Sequence, residues 1–490
     1  MKAQQILEQL KGMLAANQIN IDPDALYDAA ADRYKKYAKA KKVLDVPPPT
    51  AIVYPNSVEE VKSLLQFCNQ NGINVIPRSG KTATEGGLEN WKTETLVIDG
   101  KNLNKIINID TYNMQATVQA GVPLQALEDQ LRPLGYTTGH SPQSKPVAQF
   151  GGLVATRSIG QFSTLYGGIE DMVVGLECVF PDGHIARIKN VPRRAGGPDI
   201  RHIVIGNEGT LCYITEVTVK IFKVFPENNR FYGYLVRDID TGIKVLREVM
   251  VNGYRPSVAR TYSEEDARQH FYHFHKGKCV LLFMAEGQKD IAEATGRAIE
   301  AAVEKHKEGI LEQVDSQLIS DWFDHLNWSQ QDIDDEFQGM IDNDKHDGYT
   351  TEISADWENI PKIYHSVINR IRAEFPRAED LTMLGGHSSH SYINGTNMYF
   401  VYNYNINCAP EDEMRIYHHP LQKIIVEEAL KFGGSMCHHH GIGKFRNEWT
   451  TQEHGSAHYM LEKLKQAFDP NDIMNFGTIF FKEEGAKFQK

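Results

Sequence analysis

At 490 residues the chain exceeds what one hydrophobic core usually supports, so it is expected to divide into two or three domains. Its composition, 41% hydrophobic and 24% charged, is that of a folded globular protein. A net charge of −12 excludes an extended basic surface for nucleic acid or anionic membrane, while leaving room for a local basic pocket.

The opening MKAQQILEQLKGML has charges and glutamines where the apolar stretch of a secretory signal would stand. No apolar run reaches the roughly 18 residues of a spanning helix. The six cysteines (Cys68, Cys178, Cys212, Cys279, Cys408 and Cys437) form no C-x-x-C pair. A cytoplasmic setting is expected, without a disulfide framework or zinc ribbon. Residues 1–46 read as a helical arm whose basic stretch RYKKYAKAKK forms a solvated helix face. The prolines of VPPPT at 46–50 end it.

Residues 47–226 read as a dense α+β domain. In NSVEEVKSLLQFCNQNG, Ser57 and Glu60 have capping-box spacing, and Val61, Leu64, Leu65 and Cys68 share one helix face. NVIP, TLVIDG and NMQATVQAG read as strands, and PLQALEDQLRPLG as a helix with Pro123 in its first turn. VVGLECVFPDGHIARI reads as a hairpin turning at Pro181-Asp182-Gly183. From 227 to 430 strands alternate with helices, as in FYGYLVRDI before TGIKVLREVMVNG, suggesting a second sheet layered with helices. The acidic run SQQDIDDEFQGMIDNDKHDG lacks strong periodicity and reads as a surface excursion. A C-terminal segment, 431–490, completes the chain.

Three loops beside strands are rich in small residues. PRSGKTATEGGLEN (77–90) contains Gly-Lys-Thr but is not a Walker A loop, because Val75 stands where glycine is required. SPQSKPVAQFGGLVATRSIG (141–160) and IGNEGTLCYIT (205–215) are similar in character. Small residues let backbone N–H groups approach an anion, and Arg78, Lys81 and Arg157 add positive charge. Three such loops within 140 residues fit a large diphosphate cofactor better than a single phosphate.

Near the C-terminus, GGSMCHHHGIGKFR holds three consecutive histidines. In an extended segment His438 and His440 would share a side and His439 would not, so one ion is not expected to gather all three. No metal site is expected, and the open local readings are hydrogen-bonding structural histidines or the polar floor of an active site. A second polar cluster, GGHSSHSYINGTNMYF, brings His387, His390 and Tyr392 before a strand carrying Tyr399, and RPSVARTY contributes Arg260.

These loops, together with TGHSPQS, IEDMVVGLECVFPDG, GPDIRHIVIGNEGTL and HHHGIGKFR, resemble the FAD-binding fold of the vanillyl-alcohol oxidase and p-cresol methylhydroxylase (PCMH) superfamily. The resemblance runs from about residue 50 to 478. Within that superfamily the chain is similar to alkyldihydroxyacetonephosphate synthase and its bacterial FAD-linked oxidoreductase relatives. It implies an α+β fold: a two-subdomain PCMH-type FAD-binding domain and a sheet-and-helix cap, with the C-terminal segment returning to the flavin.

For the cofactor, the resemblance implies that Pro77, Arg78, Ser79, Gly80, Lys81, Thr82 and Ala83, with Gly87, wrap the FAD diphosphate. Pro142, Gln143, Ser144, Gln149, Gly151 and Gly152 would line its other side with Thr156, Arg157, Ser158 and Ile159. Glu208, Gly209, Thr210, Leu211 and Ile214 would sit by the adenosine half. Ser79-Gly80-Lys81 departs from the family's three glycines. Superfamily members with covalent flavin often use a histidine in the first loop, and none lies between 77 and 90, so non-covalent FAD is implied.

For catalysis, the resemblance implies His438, His439, His440, Tyr399 and Arg260 around the flavin, with His387, His390 and Tyr392 facing the substrate. The synthase grips its substrate's phosphate with an arginine upstream of the segment equivalent to ISADW. EFQGMIDNDKHDGYTTE contains none, and Gln338 stands nearest the expected place. A dehydrogenase acting on a 2-hydroxy acid, polyol or sugar derivative is therefore expected ahead of a redox-neutral synthase-like transferase of ether-lipid synthesis. Oxygen, a quinone and an electron-transfer flavoprotein remain open as acceptors. A homodimer is implied by analogy alone.

Overall fold

The computed structural model describes residues 2–324, 326–342 and 345–488. Helix Val58–Asn71 starts where Ser57 accepts from the Glu60 amide and ends at Gly72, which adopts φ +64°. Its face of Val61, Leu64, Leu65 and Cys68 packs with Ile6 and Leu10 of helix Ala3–Met13. Beneath it, Ala51–Val53 and Asn74–Arg78 run parallel on either side of Thr95–Asp99. The C-terminal segment extends this sheet: the Val75 amide donates to the Ile473 carbonyl at 2.7 Å, and the Asn475 amide to the Val75 carbonyl at 2.8 Å.

A second subdomain is a five-stranded antiparallel sheet ordered Ile106–Asp110, Gln115–Gln119, Tyr213–Lys220, Val173–Val179 and Ile185–Ile188. Val173–Val179 and Ile185–Ile188 form the expected hairpin.

The cap is a seven-stranded sheet ordered Ile310–Val314, Arg230–Val236, Cys279–Ala285, Val258–Tyr262, Leu381–Ser388, Gly395–Asn405 and His346–Asp356. Strand periodicity assigns its faces. Met398, Phe400, Tyr402 and Tyr404 enter the core beneath helices Asn359–Glu374 and His419–Lys431. Tyr399, Val401 and Asn403 turn to a cavity on the opposite side.

Two expectations need correction. The N-terminal arm contains helices, but Ile19–Asn20 forms an edge strand against Ala51–Val53, and the basic stretch is not solvated. Tyr34, Lys35, Tyr37 and Ala38 are buried. Lys35 Nζ lies 2.8 Å from Asp45 and 3.4 Å from Glu89, and Lys36 Nζ lies 2.8 Å from both Glu336 and Asp347. Carboxylates distant in sequence compensate these cations, so local composition gave no sign of their burial. The acidic run contains helix Gln330–Ile341, capped by Ser329, which buries Met340 and ties Glu336 to Arg33 and Lys36. Asn343 and Asp344 of that run lie outside the described residues. Among the described residues no helix is long and apolar enough to cross a membrane.

Two contacts fix the C-terminal loop over the cavity. Glu208 accepts from the Ile442 and Gly443 amides, both at 2.8 Å. Arg446, fully buried, donates from Nη2 to Glu85 at 2.7 Å, and from Nη1 to Glu352 at 2.7 Å and the Met436 carbonyl at 2.8 Å.

Arg446→Met strands two buried carboxylates and is expected to cost about 3–5 kcal/mol, read as a lower urea midpoint. Adding Glu85→Gln and Glu352→Gln to that variant is expected to recover part of the loss. Burial, opposed by the two amides, pushes Glu208 from its ordinary value of 4.5 up to about 7. A raised carboxyl favours folding most when neutral, so its contribution is full below 4.5 and fades as pH rises through 7. Thermal melts between pH 5 and 8 are therefore expected to show a flatter decline for Glu208→Gln than for the natural chain.

Candidate active site

A cavity of about 710 Å³ opens between the FAD-binding-like subdomains and the bare face of the cap sheet, within the usual range for ligand pockets. Three loops form one wall, and each turns through a non-glycine residue in the left-handed region: Lys81 at φ 58°, Arg157 at 52° and Glu208 at 48°. The loops approach one another backbone to backbone. A Cβ on Gly80 would stand 2.6 Å from the Val147 carbonyl oxygen, and one on Gly152 would stand 2.6 Å from Ser79 Oγ.

Most residues expected at the cofactor line this cavity: Pro77 through Ala83, Gly87, Pro142, Gln143, Ser144, Gln149, Gly151, Gly152, Thr156, Ser158, Ile159, Glu208, Gly209 and Ile214. Arg157, Thr210 and Leu211 do not. Thr210 is buried and donates to the Asn207 carbonyl, and Leu211 is buried. The expected positive charge is also committed elsewhere. Arg78 pairs with Asp99 at 2.7 Å, Arg157 with Glu170 at 3.0 Å, and Lys81 lies 4.0 Å from Asp28. The wall nevertheless suits a polar ring system: Gln149 Oε1 and both side-chain polar atoms of Gln161 belong to residues that line the cavity, are buried and have no hydrogen-bond partner among the described residues.

The opposite wall is the cap. Val258–Tyr262 places Arg260 there, buried, over the rings of Tyr262 and Trp322 at 5.5 and 5.6 Å. Among the described residues no carboxylate pairs with Arg260, and its Nε has no hydrogen-bond partner. His387 is stacked between Tyr262 and Tyr399, and its Nδ1 lies 2.6 Å from Asp266. Burial would raise Asp266, but His387 and His270 hold it well below the usual carboxylate range.

The histidine triplet follows no strand alternation, because its backbone bends rather than extends. His438 Nδ1 and His439 Nδ1 are 2.8 Å apart, His390 stacks on His438, and the His440 ring lies edge-on to His439 with centroids 4.5 Å apart. His440 Nε2 faces the Tyr399 hydroxyl at 3.3 Å, and its Nδ1 stands 3.6 Å from Glu85 and 3.9 Å from Glu352. Tyr399, His387, His390, His439 and His440 line the cavity; His438 and Tyr392 stand behind it, joined at 2.7 Å. Burial holds His438 down at about 4, and burial with neighbouring imidazoles holds His390 and His439 well below the ordinary histidine value. Burial thus favours the neutral form of all three rings.

The sequence reading missed the carboxylates. Glu352 accepts from the His439 and His440 amides at 2.8 and 2.6 Å. Burial would raise it, but Arg446, His440 and His439 hold it well below its ordinary value. Glu85 and Arg446 stand inside recognised motifs, so a question about which anion balances that arginine would have found Glu85; no local signal marks Glu352. Gln338, at the place of the expected phosphate clamp, donates to Asp342 and does not line the cavity. Arg33 of the N-terminal arm does line it, paired with Glu336.

Residues 49–189 match the FAD binding domain family, and residues 225–479 match the FAD linked oxidases, C-terminal domain family. The chain is 59% identical over 476 residues to the uncharacterized FAD-linked oxidoreductase YgcU of Escherichia coli O157:H7, covering 97% of this chain and 98% of that protein. It is 25% identical to the mitochondrial D-lactate dehydrogenase [cytochrome] 1 of Saccharomyces cerevisiae, covering 98% of this chain and 80% of the yeast protein. The structure of an alkyldihydroxyacetonephosphate synthase superimposes with a TM-score of 0.75 at 22% identity, covering 97% of this chain and 86% of the other. That likeness shows the fold, α+β with a PCMH-type FAD-binding domain and a sheet-and-helix cap. The second family match alone spans more than half of the chain, which therefore belongs to the FAD-linked oxidases and takes FAD as its cofactor.

Proposed function

We propose that the chain is an FAD-dependent dehydrogenase that oxidises the hydroxyl of a small polar substrate, foremost a 2-hydroxy acid. The observation that carries this reading is the charge balance under His440. Glu85 and Glu352 share a single guanidinium, Arg446, which leaves one surplus negative charge in a buried cluster. His440 Nδ1 lies within 4 Å of both carboxylates, which places negative charge behind the ring on the side away from the Tyr399 hydroxyl. A cavity-facing imidazole backed by carboxylates is the arrangement of a histidine general base.

In this reading His440 Nε2 receives the proton of the substrate hydroxyl, and the Tyr399 hydroxyl, 3.3 Å from that nitrogen, turns its proton to the substrate oxygen and leaves the nitrogen's single lone pair for the substrate. FAD, when bound, supplies the acceptor for the hydrogen and electron pair that leave the carbinol carbon. Arg260 brings a buried guanidinium with no carboxylate partner among the described residues, which suits the carboxylate of a 2-hydroxy acid. Asp266 holds His387 beside it. The yeast relative's name, a D-lactate dehydrogenase, supports the same substrate class. Gln149 and Gln161 would hold the flavin by hydrogen bonds, and the first loop lacks a histidine, which supports non-covalent attachment.

Anaerobic addition of 2-hydroxy acids, polyols and sugars is the direct test. Bleaching of the oxidised-flavin band by a 2-hydroxy acid is expected. A flavin unmoved by every alcohol, yet changed by an acyl-dihydroxyacetone phosphate, would transfer the assignment to a synthase-like activity. With an accepted hydroxy acid, His440→Asn is expected to lower kcat by about 10²–10⁴-fold with flavin content unchanged. Arg260→Met is expected to raise KM by about 10- to 100-fold.

A further inference from the structure

We infer that Arg33, Trp328 and Glu336 form a clasp that closes the cavity over bound FAD and sets the rate at which the cofactor leaves. Arg33 precedes both family-matched regions, and it stands 303 residues before the Glu336 it pairs with. The clasp requires FAD as cofactor but no particular substrate, so its failure would leave the dehydrogenase reading untouched.

A cofactor lying between the loop wall and the cap leaves only when the two part. The join through Arg446, Glu85 and Glu352 is buried throughout, and breaking it strands charges away from water. The join made by the N-terminal arm is of another kind. The Arg33 amide donates to the Ala83 carbonyl at 3.4 Å, at the end of the first loop, and Asp28 lies 4.0 Å from Lys81 of that loop. From there the Arg33 side chain crosses to the cap. Its Nη2 donates to Glu336 at 2.8 Å, and its guanidinium carbon lies 4.1 Å from the centre of the Trp328 ring. Trp328 completes the circuit, because its amide donates to the Gln143 carbonyl of the second loop at 2.9 Å. Arg33, Gln143, Trp328 and Glu336 all line the cavity. The side chains of Arg33 and Glu336 are 19% and 37% exposed, so water can replace each contact as it breaks. Of the two joins, the arm's is therefore the one that opens at low cost. The competing explanation is that these contacts only anchor the arm and helix Gln330–Ile341, without bearing on the cofactor.

The test uses the full-length holoenzyme, each variant reloaded with FAD. Release is followed as the rise in flavin fluorescence after dilution to nanomolar concentration. Arg33→Met and Trp328→Leu are each expected to speed release about tenfold, the rate equivalent of a partly desolvated cation–π contact. Arg33→Lys keeps a cation over the ring and opposite Glu336, and is expected to stay within about threefold of the natural rate. Arg187→Met controls for lost ion pairing alone. Arg187 pairs with Glu177 at 2.6 Å and Glu216 at 2.8 Å and does not line the cavity, so its loss is expected to leave the release rate unchanged. Circular dichroism and the urea midpoint report whether each variant is folded. Should Trp328→Leu fail to fold, Arg33→Met and its control decide. Release at the natural rate from folded Arg33→Met overturns the proposal, as does equal acceleration by Arg187→Met.

Discussion

The arrangement of the site depends on one buried cation. Arg446 has no exposed surface, and its two carboxylate partners come from different parts of the molecule, Glu85 from the first cofactor loop and Glu352 from the cap sheet. Burying three charges is expensive unless every donor and acceptor is met, and Arg446 meets this condition by adding the Met436 carbonyl while Gln422 donates to Glu85. The loop from Met436 to Arg446 is therefore not free to choose its path. Because Glu352 also accepts the His439 and His440 amides, the arrangement that balances the charge also aims the histidines.

The second determinant is the two-residue period of the cap strands. On Gly395–Asn405 the residues that build the helix-covered core and those that face the cavity alternate without a break from Met398 to Tyr404. Tyr399 thus reaches His440 because Met398 and Phe400 are apolar and buried. His346–Asp356 keeps the rule only beyond Thr350, with Ile353 in the core: His346 through Thr350 all line the cavity, Tyr349 while also belonging to the core. Core packing and site geometry are set together, and a register slip of one residue would exchange them.

Patterns carried by short-range chemistry were legible in the sequence. The capped helix Val58–Asn71, the hairpin after Val173 and the three small-residue loops depend on neighbours a few residues apart, and the structure places them accordingly. The features that escaped are long-range compensations. Lys35 and Lys36 look solvated until Glu89, Glu336 and Asp347 are brought to them. The acidic run looks unstructured until Arg33 and Lys36 pair with its Glu336 and its Met340 is buried. Glu352 is an unremarkable residue in a strand until the histidine loop arrives from about 90 positions downstream.

The same logic bears on the cofactor loops. Lysine and arginine are the ordinary side-chain partners of a diphosphate, and the loops of this chain, whose net charge is −12, contain Arg78, Lys81 and Arg157. Each of these cations has a carboxylate of its own nearby, and Arg157 projects outside the cavity wall. The backbone adds its own donors: a Cβ at Gly80 would meet the Val147–Gln149 backbone and one at Gly152 the Ser79 hydroxyl, and left-handed turns re-aim successive N–H groups. Recognition by backbone amides depends on loop shape rather than on side-chain charge. Within Ser79-Gly80-Lys81, Gly80 stands where a Cβ would meet the facing Val147–Gln149 backbone, and Lys81 takes the left-handed turn at the cavity wall with its Nζ 4.0 Å from Asp28.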